Sequence, residues 1–254
     1  MTGRVTASRR ALGAALAVAA LASAHPASAG IADKLREGLF KQHRGDEVPG
    51  PPLGRYISEE GRTFTLDLTQ PVPMLKFDDS PEVYALLPSP APRGDTIYRN
   101  DLGEPVLRAT RLGGVTLFTD QRPGGSAAAL SGVGSPLRLA IMGPQALFER
   151  LALASARASR AARRLIPFEA EATPASSALI ADSAMVTSEA VVRMTKHSGS
   201  RRMLDRILKV RLVAGREPDA EVTQGVLEVT VAPTQGLAGR PSSDRIVHVA
   251  QTFH

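Results

Sequence analysis

The densest run of side chains able to do chemistry lies between residues 92 and 125, where PRGDTIYRNDLGEP, LRATRLGG and QRPGG follow one another closely. Arg93, Arg99, Arg108 and Arg111 could converge on a carboxylate or phosphate, because a guanidinium presents paired donors to such groups. Asp95, Asp101 and Glu104 could serve as acid, base or oxygen ligands to a hard cation, although no known cation-loop spacing matches them. The same residues admit a structural reading. Asn100-Asp101-Leu102-Gly103 is turn chemistry between two strands, and Arg93 with Asp95, or Arg99 or Arg108 with Glu104, could form ion pairs. Arg99 and Arg108 fall on different strands, so only one hairpin register brings them to a common face. The Arg-Gly-Asp tripeptides at 44–46 and 93–95 read as turns.

A second concentration of charge lies on a segment opened by Pro144. Arg150, Arg157 and Arg164 recur every seventh residue with Arg160 and Arg163 beside them, away from a stripe of Leu147, Leu151, Ala154, Ala158, Ala161 and Leu165. Such a face is either solvated or docks on anionic lipid, lipopolysaccharide or another envelope polyanion, giving peripheral membrane-surface contact. Other machinery is missing. There is no HExxH, no G-x-S-x-G, no P-loop and no dinucleotide fingerprint, so no catalytic residue, metal site or cofactor is expected. Ser/His/Asp chemistry assembled across the fold has no pointer in the sequence.

The run RGDTIYRNDLGEPVLRATRLGGVTLF, followed by RPGG, resembles an uncharacterised family of secreted bacterial proteins defined only as a domain of unknown function. The resemblance covers about residues 55–254. It implies an exported single-domain protein and no catalytic residues.

The elements that must position these residues can be read from periodicity. Ile31, Leu35 and Leu39/Phe40 predict a short amphipathic helix, and residues 44–54 a Pro/Gly linker. From Tyr56 to about Leu139 the period is two, with short strands around Phe64–Leu68, Met74–Phe77, Val83–Leu87, Thr96–Arg99, Val106–Thr110 and Val115–Thr119. Prolines crowd this region and forbid long helices, so it reads as a β meander. Helices are expected over Pro144–Ile166 and Ser176–Lys196, the second with Thr173 as N-cap, and one further turn over Ser200–Arg206. Strands return at Leu208–Leu212, Leu227–Val231 and Ile246–Ala250, with His248 in the last, and the first two are expected to pair as a hairpin. An N-terminal antiparallel meander, a central helical segment and C-terminal antiparallel strands make an α+β fold, with 55–254 as one domain.

Residues 1–29 read as an export signal. Arg4, Arg9 and Arg10 precede an uncharged run from Ala11 to Ala24, and Ala27-Ser28-Ala29 suits signal peptidase, so the mature chain should begin at Gly30. The run is too short for a permanent span, which needs roughly 20 residues. Arg9-Arg10 leaves both the general secretory and the twin-arginine routes open. Cleavage removes three Arg and lowers the net charge from +6 to +3, too little to argue for nucleic acid. Cys and Trp are absent, which excludes disulfides, a lipidated Cys and thiol chemistry, and makes a large glycan groove less expected. The leading expectation is a periplasmic or secreted, non-enzymatic module binding or scaffolding an envelope partner or anionic ligand. The alternative is an envelope enzyme holding an anionic substrate with the 93–111 block.

Overall fold

A computed structural model describes residues 50–196 and 198–252, all within one compact unit. The expected signal, the helix at 31–43 and the linker up to residue 49 lie outside the described residues. The alternating half folds into antiparallel strands, β1 (Gly54–Ser58), β2 (Thr63–Asp67), β3 (Met74–Phe77), β4 (Val83–Ala85), β5 (Leu87–Pro90), β6 (Thr96–Arg99), β7 (Pro105–Ala109), β8 (Val115–Thr119) and β9 (Arg122–Val133). The six expected runs are there, the one at 83–87 breaks at Leu86 between β4 and β5, and β1 and β9 are additional. They form one sheet of nine strands in the order β4-β3-β2-β1-β9-β8-β7-β6-β5. Its two outer strands, β4 and β5, are separated in sequence by Leu86 alone, so the sheet rolls until its edges meet there. The two edge strands meet at this corner without pairing to each other, so the roll shortens the edge that a flat meander would expose.

The inward side chains fill this barrel. Phe64, Leu66, Leu75, Leu86, Leu107 and Leu117 have no exposed surface and pack in one cluster with Tyr56, Phe77 and Val115. Four aromatic rings run in sequence across neighbouring strands, with centroids 5.5 Å apart for Tyr56–Phe64, 6.1 Å for Phe64–Phe77 and 5.9 Å for Phe77–Tyr84. Spacings of this kind add to the stabilisation from area burial. The long β9 closes the barrel by pairing with β8 through its first half and with β1 through its second.

Beyond the barrel come α1 (Pro144–Ala162), β10 (Phe168–Ala170), α2 (Ser177–Met194), α3 (Ser198–Leu204), β11 (Lys209–Ala214), β12 (Asp219–Thr223), β13 (Val226–Val231) and α4 (Ser243–Thr252). The four strands form a second sheet in the order β10-β11-β13-β12. Val210 and Leu212 of β11, Leu227, Val229 and Val231 of β13, and Ile246 and Ala250 of α4 share one core with α1 and α2. α2 is buried almost all round, as a central core helix must be. No described helix is long and apolar enough to cross a membrane.

The α+β class holds, and three details differ from expectation. β11 and β13 do pair, but in parallel; the hairpin joins β12 to β13 through Gln224 and Gly225, both at positive φ as a tight two-residue turn requires. Its first strand, DAEVT, buries only Ala220 and Val222 and gives a weak periodic signal. Ile246–Ala250 is helix, with Ile246 and Ala250 buried one turn apart. α1 stops at Ala162, where Arg163 turns left-handed with φ 58°, so Leu165 leaves the stripe and is 75% exposed while Ile166 takes the core position.

Leu86 and Leu87 give a paired test of the closure. Leu86→Ala at the buried seam should cost about 3 kcal/mol, whereas Leu87→Ala, on the exposed side, should stay within about 0.5 kcal/mol, both read from urea unfolding.

Candidate functional site

The 93–111 block is built as two strands and their turns, β6 and β7, with Ile97 opposite Arg108 and Arg99 opposite Pro105. Asp95 is buried just before β6. One of its oxygens receives the Nε–H of Arg108 at 2.8 Å and a second donor from the same guanidinium, while the other accepts the Arg111 backbone N–H at 3.3 Å. Arg108 therefore holds the Asp95 carboxyl below its ordinary pKa, helped by the Arg111 amide and by the charge of Arg93. The side chain of Arg111 lies over Gly94, and Arg93 sits in a left-handed turn. Arg99 donates to the carbonyl of Gly103 at 2.8 Å, closing its own hairpin turn. Asn100 donates to Glu104 at 3.1 Å and accepts the backbone N–H groups of Leu102 and Glu104. Arg93, Asp95, Arg108 and Arg111 thus gather on one side of the barrel wall, Arg99 and Glu104 serve the turn, and Asp101 points elsewhere.

Asp101 reaches the second half of the molecule. It accepts the backbone N–H of Ser242 at 2.8 Å and the Ser242 hydroxyl. Glu82, from the turn between β3 and β4, does the same for the next residue, accepting the Ser243 N–H at 2.9 Å and its hydroxyl. Two barrel carboxylates therefore meet the first N–H groups of α4, which have no partner within the helix and carry its positive dipole end. Ser242 completes the cap by accepting the Arg245 N–H at 3.0 Å.

Arg240 lies beneath this contact with 2% of its side chain exposed. It donates to Asp182 of α2 and to the Val83 carbonyl at 2.8 Å, and lies 3.6 Å from Glu82. Burial opposes its charge, but Asp182 and Glu82 outweigh that and raise its pKa. Burial pushes the Glu82 carboxyl up, with Arg240 and Ser243 acting in the other direction. Tyr84 is raised by burial and by Glu82 and Asp244. Arg193 of α2 closes the cluster, bonding Ser243 at 2.7 Å and Asp244 at 2.6 Å.

Beside this cluster lies a cavity of about 260 Å³ with an apolar wall from Val72, Val83, Ala85, Leu87 and Ala238 and a polar one from Asp101, Arg240, Ser242 and Arg245. A mostly apolar hollow with a few fixed polar groups at the meeting of two substructures is the usual form of a small-molecule site. Of the residues singled out in the sequence, only Asp101 lines it. Glu82, Arg193 and Arg240 were not singled out. The available signal was Arg-Pro-Ser-Ser-Asp at 240–244, a helix start with Ser to cap and Asp in the first turn.

The basic residues of α1 divide in two. Arg157 bonds Glu189 and Ser188 of α2, and Arg164 donates to the carbonyls of Leu204 and Ile207. Arg150, Arg160 and Arg163 are exposed and make no ion pair among the described residues. Among the same residues no group of three or more His, Asp or Glu side chains could hold a metal ion.

An antiparallel barrel clamped to a helix-covered mixed sheet, with its cavity at the seam, is the frame in which the comparisons stand. Residues 34–250 match the family model for Domain of unknown function (DUF4908), and the chain belongs to that family. Neither a curated protein nor a solved structure matches it.

Because Arg108 depresses the Asp95 pKa, the stability this pair contributes is complete above the ordinary value of 3.8 and is lost as pH falls through the lower folded value. The gap in unfolding midpoint between wild type and Asp95→Asn should therefore be widest near neutrality and close in acid. A gap independent of pH would rule the ion pair out as its source.

Proposed function

We propose that this protein is a non-enzymatic binding module of the cell envelope, exported by residues 1–29, which holds a small, mainly apolar ligand in the cavity beside α4. The observation that carries the reading is the mutual satisfaction of the charges around that cavity. Glu82, Asp101, Asp182, Arg193 and Arg240 are all engaged with one another or with the α4 terminus. Groups tied in this way shape and orient a pocket, whereas general acid–base work needs a titrating group within reach of substrate. Asp95 and Asp101 of the 93–111 block are likewise engaged, which counts against the enzyme reading. The family match begins at residue 34, leaving the proposed signal outside it.

Filling the cavity tests this. N-phenylnaphthylamine, a neutral apolar fluorophore, should gain fluorescence with the wild-type mature chain. Ala238→Phe, which places a ring in the hollow, should abolish the gain with the circular dichroism spectrum unchanged. Retained binding in that variant would move the ligand elsewhere.

A second contact is supported by the outer face of α1. Phe148 is 68% and Leu153 52% exposed, and they share the helix with Arg150, Arg160 and Arg163. Exposed apolar side chains among unpaired cations suit the boundary of an anionic lipid or lipopolysaccharide surface. Sedimentation with phosphatidylglycerol vesicles should fall severalfold when these three Arg become Ala, and should not change for phosphatidylcholine vesicles. Equal sedimentation of the triple variant would remove α1 from the reading.

A further inference from the structure

A separate hollow of about 520 Å³ lies at one end of the barrel, where the turns β1–β2, β6–β7 and β8–β9 meet the start of α4. The interior of the barrel is packed, so this is a basin over the core, and its floor is aromatic: Phe77 and Phe118 line it. Glu104, Asp120 and Asp244 supply carboxylates. Asp244 is matched by Arg193 and Glu104 receives only the neutral Asn100 amide, while Asp120 is exposed without a partner among the described residues.

The single cation in the lining is Arg62, and its position is informative. Its guanidinium carbon stands 3.7 Å from the centre of the Phe77 ring, and its ion pair with Asp79 is long, at 3.7 Å. Its Nε is buried and makes no hydrogen bond. The ring face therefore shares the compensation of this charge with Asp79 and solvent, as expected where a cation meets the negative quadrupole of an arene. The basin already holds a positive group over its aromatic floor, and it keeps two further carboxylates, Glu104 and Asp120, that no cation among the described residues pairs with.

We propose that this basin is a binding site for an organic cation, a quaternary or protonated amine with an apolar body, distinct from the apolar cavity beside α4. The ammonium would stand between Glu104 and Asp120 with its body on Phe118, beside the guanidinium of Arg62. A quaternary centre suits the site because it needs no hydrogen-bond acceptor, only a negative and aromatic surround.

Isothermal titration of the Ala238→Phe mature chain, in which the apolar cavity beside α4 is filled, with benzyltrimethylammonium and with its uncharged isostere neopentylbenzene, tests the assignment. The cation should bind and the isostere should not. The Glu104→Gln/Asp120→Asn variant, altered only on exposed turns, should lose about fivefold or more in affinity for the cation, and the loss should shrink in high salt. Phe118→Leu should weaken binding in that background, and in the chain with Ala238 restored it should leave the N-phenylnaphthylamine signal of the α4 cavity intact. Absence of binding, equal binding of the neutral isostere, or unchanged affinity in the double variant would overturn the proposal.

Discussion

The structure depends on a guanidinium that water cannot reach. A buried cation must be both paired and hydrogen-bonded, and removing one partner from such a group costs on the order of 3–5 kcal/mol. The partners of Arg240 come from both halves of the molecule: Asp182 from α2, and Glu82 and the Val83 carbonyl from the barrel. The obligation is reciprocal. Glu82 is itself buried, and the first N–H groups of α4 need acceptors that α4 cannot provide. Separating barrel from helical layer would strand Glu82 and leave Arg240 with Asp182 alone, so the two are held in one arrangement by polar necessity as well as by packing.

The filled barrel decides where any ligand can go. Leucines and aromatics, with Val106, Ala109 and Val115, pack its interior, and the outer wall carries paired charges such as Arg55–Asp78 and Asp95–Arg108. Space is left at the seam and at the end facing α4, and Tyr84 lines both hollows. Tyr84 is also the last of the four rings that begin with Tyr56. Its ring therefore rests on the rigid core while its hydroxyl lies in the charged junction, so a side chain fixed by the barrel forms a wall of each hollow.

Much of the fold was legible, and the failures have specific causes. Phe64 and Leu66 alternate with Thr63, Thr65 and Asp67, so β2 could be read directly, and the short apolar runs bounded by turn residues marked β3 and β8. β9 could not, because Gly, Ala and Ser dominate its sequence and have little strand preference. Its conformation comes from pairing on both sides, and from Gly54, where a Cβ would stand 2.3 Å from Leu130. The run Ile246–Ala250 is too short for periodicity to separate helix from strand, and the cap at Ser242 resolves it. The junction was the least legible part. Its bonds join residues 141 to 161 positions apart, as in Asp101–Ser242, Arg240–Val83 and Glu82–Ser243, and no local pattern predicts such partners. Asp101 stood out by residue type, whereas the direction in which it points is set by the fold of the other half.

The family match bears on how the two halves should be viewed. It extends from residue 34 to residue 250, through the barrel and across α1, both sheets and most of α4. A barrel joined to an independent helical domain would place its contact on a surface that each could expose alone. Here the contact surface holds two buried charges, Glu82 at 0% and Arg240 at 5% exposure. Glu82 left facing its own half would lose its counter-charge and its donors, and Arg240 would keep Asp182 but lose Glu82 and the Val83 carbonyl. The described residues therefore form one compact unit with buried charge at its seam, and the hollow beside α4 is bordered by that seam. Preorganisation of this kind favours recognition of a ligand that fits without rearrangement, since little ordering cost remains at the moment of binding.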